Sequence, residues 1–107
     1  MYRVDPQRLD LVQEFLADPL GAAQGRHSLE LRRLTYWLRR NPAAGRFVLV
    51  PVEKYRSWKL CRLTGERGTP LQEVSVGVFS SIEDAERHVF KLRWSAETGQ
   101  ALPETLS

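Results

Sequence analysis

The residues able to hold a metal, move a proton or attack a carbonyl are two histidines, one cysteine and thirteen carboxylates. A metal site needs donors that converge, and His27, Cys61 and His88 stand 34 and 27 residues apart, with no short ligand spacing between them. A cysteine nucleophile needs a base held beside it. Cys61 sits in the middle of an apolar alternation and reads as a small core residue. Gly65-Glu66-Arg67-Gly68 brings two glycines together but lacks the strand–loop–helix setting that cradles a phosphate. Glu83, Asp84 and Glu86 are adjacent carboxylates, yet they fall where a helix N-terminus favours negative charge. The expectation is therefore a chain with no catalytic, cofactor-binding or metal-binding residue of its own.

The elements that would position such residues are clearer. At 107 residues, with 42% hydrophobic and 27% charged side chains, the chain fits one domain with a core. A single cysteine allows no internal disulfide. No apolar run approaches the ~20 residues that span a bilayer, and Met1 to Pro6 lack the apolar stretch of a signal peptide, so a cytoplasmic, membrane-free protein is expected. The net charge is +3 and the isoelectric point about 9.4, with acids interspersed among the bases.

Along the chain, residues 5–18 form an expected first helix, with Asp5 as cap and Pro6 in the first turn. Its stripe of Leu9, Val12 and Leu16, flanked by Leu11 and Phe15, could dock on its own domain or on a partner. Asp18-Pro19 ends it, and residues 19–27 form a linker containing the isolated His27. The second helix covers 28–41, with Ser28 as cap, Leu31, Leu34 and Leu38 inward, and Arg32, Arg33, Arg39 and Arg40 elsewhere. Strands are expected over 46–52, 56–64 and 73–79, the first apolar on both faces. Ser80 and Glu83 form a capping box for a last helix. That helix carries two stripes, Ile82, Ala85, Val89 and Leu92 on one and Phe90 and Trp94 on the other. The expected class is α+β, in the order α-α-β-β-β-α, with a sequential antiparallel sheet. Its expected divisions are an N-terminal helix and linker over 1–27, a core over 28–95 and a loose polar tail over 96–107.

Four stretches occur together in order: Leu31-Arg32-Arg33-Leu34-Thr35-Tyr36-Trp37-Leu38-Arg39, then Pro42-x-x-Gly45-Arg46-Phe47-Val48-Leu49-Val50, then Tyr55-x-x-Trp58-x-Leu60-x-Arg62-Leu63, then Glu83-Asp84-Ala85-Glu86-x-x-Val89-Phe90-x-Leu92-Arg93-Trp94. Over roughly residues 28–94 the chain resembles the small (alpha) subunit of N,N-dimethylformamidase and its small-subunit-like relatives. The resemblance implies a division of labour. Amide hydrolysis would belong to a large subunit whose mononuclear iron is held by tyrosine and glutamate side chains. The small subunit would pack against it and carry no metal ligand, so no catalytic residue transfers to this chain.

The leading expectation is a non-catalytic accessory subunit that stabilises a large iron-dependent amidohydrolase subunit in a hetero-oligomer, with homo-oligomers when isolated. Trp37, Tyr55, Phe79, Phe90 and Trp94 are more aromatics than one face of a three-stranded sheet needs, and aromatic and Arg residues anchor interfaces. The expected contact set is Trp37, Tyr55, Trp58, Phe90 and Trp94 with Arg33 and Arg40. An alternative is a nucleic-acid module laying a sheet face with Arg56, Lys59, Arg62 and Arg67 in a major groove. A free-standing enzyme would need titratable groups gathered in a pocket, and here they are scattered.

Overall fold

The computed structural model describes residues 3–21, 27–40, 46–54, 56–63 and 72–102. Helix α1 is Leu9–Ala17, α2 is Leu29–Arg40 and α3 is Ile82–Thr98; strands β1, β2 and β3 are Phe47–Glu53, Ser57–Arg62 and Gln72–Phe79. The order is α-α-β-β-β-α, and the antiparallel sheet runs β1-β2-β3, as its patterning and connections imply.

Helix α1 begins later than Asp5-Pro6 suggests. Asp5 turns its carboxylate onto the Gln7 amide at 2.9 Å and its carbonyl onto the Arg8 amide at 3.1 Å. That local turn competes with the helix, which starts at Leu9 without a side-chain cap. Ser28 does cap α2: its hydroxyl accepts from the Leu31 amide at 3.2 Å. Glu14 of α1 holds that cap in place, accepting from the Ser28 amide at 2.6 Å and hydroxyl at 2.7 Å. The cap of α3 is Ser81, one residue after the Ser80 of the expected box, and its hydroxyl accepts from the Asp84 amide at 3.3 Å. Glu83 instead accepts from the Ser81 hydroxyl at 3.0 Å. Gly99, at φ 71°, ends α3 in the left-handed conformation that lacks a Cβ penalty.

Two packing layers meet on α3. Leu11, Val12 and Phe15 of α1, Leu31, Leu34 and Leu38 of α2, and Phe90 and Trp94 of α3 form one buried cluster. The rings of Phe15 and Phe90 stack at 4.1 Å and 14°. Ala85 and Val89 are as deeply buried but stand outside that cluster, on the other stripe of α3, toward the sheet. Phe79 pairs with Trp58 across the β2–β3 ladder and meets the His88 ring at 5.4 Å, so the face carrying Trp58, Leu60 and Phe79 looks at α3. The β2–β3 register shifts between Lys59 and Cys61, where Gly77 takes φ 79°.

The packing crosses the expected division at residue 27. The α1 stripe docks on its own domain, because Leu11, Val12 and Phe15 share one core with α2 and α3. The core also continues past residue 95: Thr98 is still helical, and Leu102 packs against the helical cluster. Polar ties close the ends. Arg87 donates from Nε to the Leu16 carbonyl at 2.8 Å, satisfying an orphan acceptor in the last turn of α1. Trp37 Nε1 donates to Glu97 at 3.0 Å, and Arg93 donates to the Phe47 carbonyl at 2.9 Å. Burial, then the nearby Arg39, lowers the Arg93 pKa, with Glu86 acting in the opposite direction.

Two predictions follow from burial. Trp94, 1% exposed, is central, and Trp94→Ala should remove about 3–5 kcal/mol of unfolding free energy, read by urea denaturation. Tyr36→Ala, at a position 61% exposed, should stay within about 0.5 kcal/mol of wild type in the same measurement. The second concerns His88, whose Nε2 is buried with no hydrogen-bond partner among the described residues. Burial, and then the charge of Lys91, lowers its pKa below the ordinary 6.5. Below 6.5 the unfolded chain takes up this proton before the folded chain does, so stability is full above that value and declines as pH falls toward the folded pKa. Thermal midpoints should therefore drop as the pH is lowered through 6.5, and His88→Gln should flatten that slope. An equally steep slope in the variant would remove His88 as its source.

Candidate partner-binding surface

Helix α2 has two dissimilar faces. Leu31, Leu34 and Leu38 are 0–2% exposed and look inward. Opposite them Leu29, Arg33, Tyr36 and Arg40 follow at intervals of four, three and four residues, which places them on one line down the helix. All four are exposed, Leu29 at 55% and Tyr36 at 61%. Arg32 and Arg39 flank the line and are exposed as well. Arg40 lies over the Tyr36 ring, 4.5 Å from its centroid, a cation–π contact that holds both groups at the surface.

The charge of this face has no counterweight on its own helix. The only carboxylate of α2, Glu30, pairs with Arg8, which also binds Asp10 at 3.0 Å. These contacts raise the Arg8 pKa and lower that of Asp10. None of Arg32, Arg33, Arg39 and Arg40 forms an ion pair with a described residue. A hollow of about 170 Å³ beside the N-terminal turn, lined by Arg3, Asp5, Arg8, Glu30, Arg33 and Trp94 among others, mixes both signs of charge.

The outer sheet face differs. Val48 pairs with Cys61, Val50 with Lys59, and Lys59 with Val78, so these residues share the side away from Leu60. Val78 is 58% exposed there. The basic residues considered for a DNA groove do not share a face. Lys59 stands among valines, whereas Arg62 is on the α3 side with its guanidinium 5.4 Å from the Phe47 ring centroid. Arg56 lies in the β1–β2 turn, and Arg67 falls outside the described residues.

The expected contact residues separate in the same way. Arg33 and Arg40 are on the outward line of α2, and Trp37 lies beside it, half-buried and bonded to Glu97. Trp58 is half-buried on the α3 side of the sheet. Phe90 and Trp94, at 3% and 1% exposure, lie in the buried cluster with α1 and α2. Tyr55 falls outside the described residues. Leu29 and Tyr36 were missed, although their spacing from Arg33 and Arg40 was a readable signal.

The residues that could do chemistry do not gather. His27 donates through Nε2–H to the Asp18 carbonyl at 2.5 Å and packs on Phe15 with ring centroids 5.8 Å apart. Cys61 is buried in β2, and His88 lies against Phe79. Among the described residues no three of His, Cys, Asp and Glu are grouped to hold a metal ion, and no helix is long and apolar enough to cross a membrane.

No curated protein matches the chain. A family model does: that of the N,N-dimethylformamidase alpha subunit, over residues 4–102. The match extends beyond the motifs of 28–94 and takes in α1, in keeping with the packing of that helix into the common core.

Proposed function

The chain belongs to the N,N-dimethylformamidase alpha subunit family, and from that premise we propose that it is a non-catalytic accessory subunit which packs against and stabilises a large catalytic subunit. The observation that carries this reading is the outward face of α2, four exposed arginines with no described carboxylate to pair with, set around exposed Leu29 and Tyr36. A charged and aromatic face built on a rigid helix suits protein recognition, since Arg and Tyr concentrate binding energy at interfaces.

In this reading the iron that hydrolyses the amide is bound by the large subunit. The iron would act there as a Lewis acid on the amide carbonyl. This chain's residues would contribute shape and charge at the subunit contact, in a cytoplasmic hetero-oligomer.

Co-expression tests the proposal. A tagged copy of the full chain should retain the large subunit of the dimethylformamidase through affinity and size-exclusion steps, and amide hydrolysis and iron should follow the complex. The purified chain alone should hydrolyse no dimethylformamide, with or without added iron. Hydrolysis by the isolated chain would assign catalysis here and overturn the proposal. So would a chain that elutes free of the large subunit at every salt concentration.

A further inference from the structure

We infer that the line Leu29, Arg33, Tyr36 and Arg40 on α2 is the docking surface, and that its occupant is an acidic protein surface with an apolar hollow for the Tyr36 ring. The inference rests on the accessory-subunit reading and specifies both the face used and the chemistry of the partner.

Charge complementarity identifies the partner. Helix α2 carries Arg32, Arg33, Arg39 and Arg40 within twelve residues, and its one carboxylate is engaged by Arg8. Like charges this close on a surface repel, and an acidic partner would relieve the repulsion as it docks. Arg33 and Arg40 are seven residues apart, two helical turns, so their Cα atoms are separated by about 10 Å along the axis. Carboxylates at a similar separation on the partner would engage both guanidinium forks.

The apolar members decide what kind of macromolecule this is. Leu29 and Tyr36 alternate with the arginines at helix-anchor spacing, the pattern of an amphipathic helix laid into a protein groove. A phosphate-tracking face would carry cations throughout such a line, whereas here Leu29 and Tyr36 alternate with Arg33 and Arg40. The surface is pre-organised as well, because Leu31, Leu34 and Leu38 fix the opposite side of the helix in the core.

The test uses the tagged full chain co-expressed with the large subunit of the dimethylformamidase, and Kd values for the purified partners. Arg33→Glu/Arg40→Glu should weaken association on the order of 100-fold, and Tyr36→Ala about tenfold. Wild-type affinity should fall with added salt more steeply than that of the double variant. Val78→Asp, on the outer sheet face, should leave Kd unchanged. All these positions are exposed, and matching far-UV circular dichroism spectra would show that the variants fold. Wild-type affinity in both α2 variants, with loss in Val78→Asp, would move docking to the sheet; it would overturn this inference and leave the accessory-subunit reading standing. No association by the wild-type chain would overturn both. A mixed-sequence DNA duplex bound by the wild-type chain and released by the double reversal, with the large subunit still held, would reassign the stripe to nucleic acid and overturn the inference.

Discussion

Helix α3 must bury two apolar stripes at once, and every other element depends on its doing so. A three-stranded sheet with one covered face has little stability without a partner layer, and a helix as short as α1 is marginal in water. Neither the α1–α2 pair nor the sheet is a complete unit. Phe90 and Trp94 close the first, with Phe90 stacked on Phe15; Ala85 and Val89 close the second. The seventeen residues of α3 are long enough for both stripes to run side by side.

The polar contacts reinforce this arrangement where the elements end. Glu14 bridges from α1 to the start of α2, Arg87 from α3 to the end of α1, and Arg93 from α3 to the start of β1. Each meets a backbone group that a helix or strand end would otherwise leave to water. Together they hold the inner face of α2 against the core. Its outer face is left free of described internal partners, and it stays rigid because the residues behind it are packed. Binding to such a surface orders few new side chains, which lowers the entropic cost of association.

The histidines and the cysteine are spread over different elements. His27, Cys61 and His88 each lie beside a different element and serve packing there. The ionisable groups are arranged as surface pairs and caps, among them Arg8 with Asp10 and Glu30, and Arg87 with Asp84. Such exposed pairs contribute little stability and create no desolvated acid or base. The imbalance of charge is concentrated instead on α2, the feature most directly suited to recognising another chain.

The element types, their order, the sequential sheet and both stripes of α3 are legible in the residues alone, because side-chain periodicity and capping chemistry are local. The line on α2 was equally local, and Arg33 and Arg40 could be picked out from it, as Tyr36 could have been. Whether a stripe meets its own chain or another was decided only by the tertiary structure. By periodicity alone Phe90, Trp94 and the α1 stripe fit either case, and in the fold α1 and α2 cover Phe90 and Trp94. Local boundaries also moved where neighbouring groups compete, as Asp5 with the start of α1 and Ser81 with Ser80. Periodicity shows that an apolar face must be covered, but burial belongs to the pair of surfaces that meet, and only the folded chain brings them together.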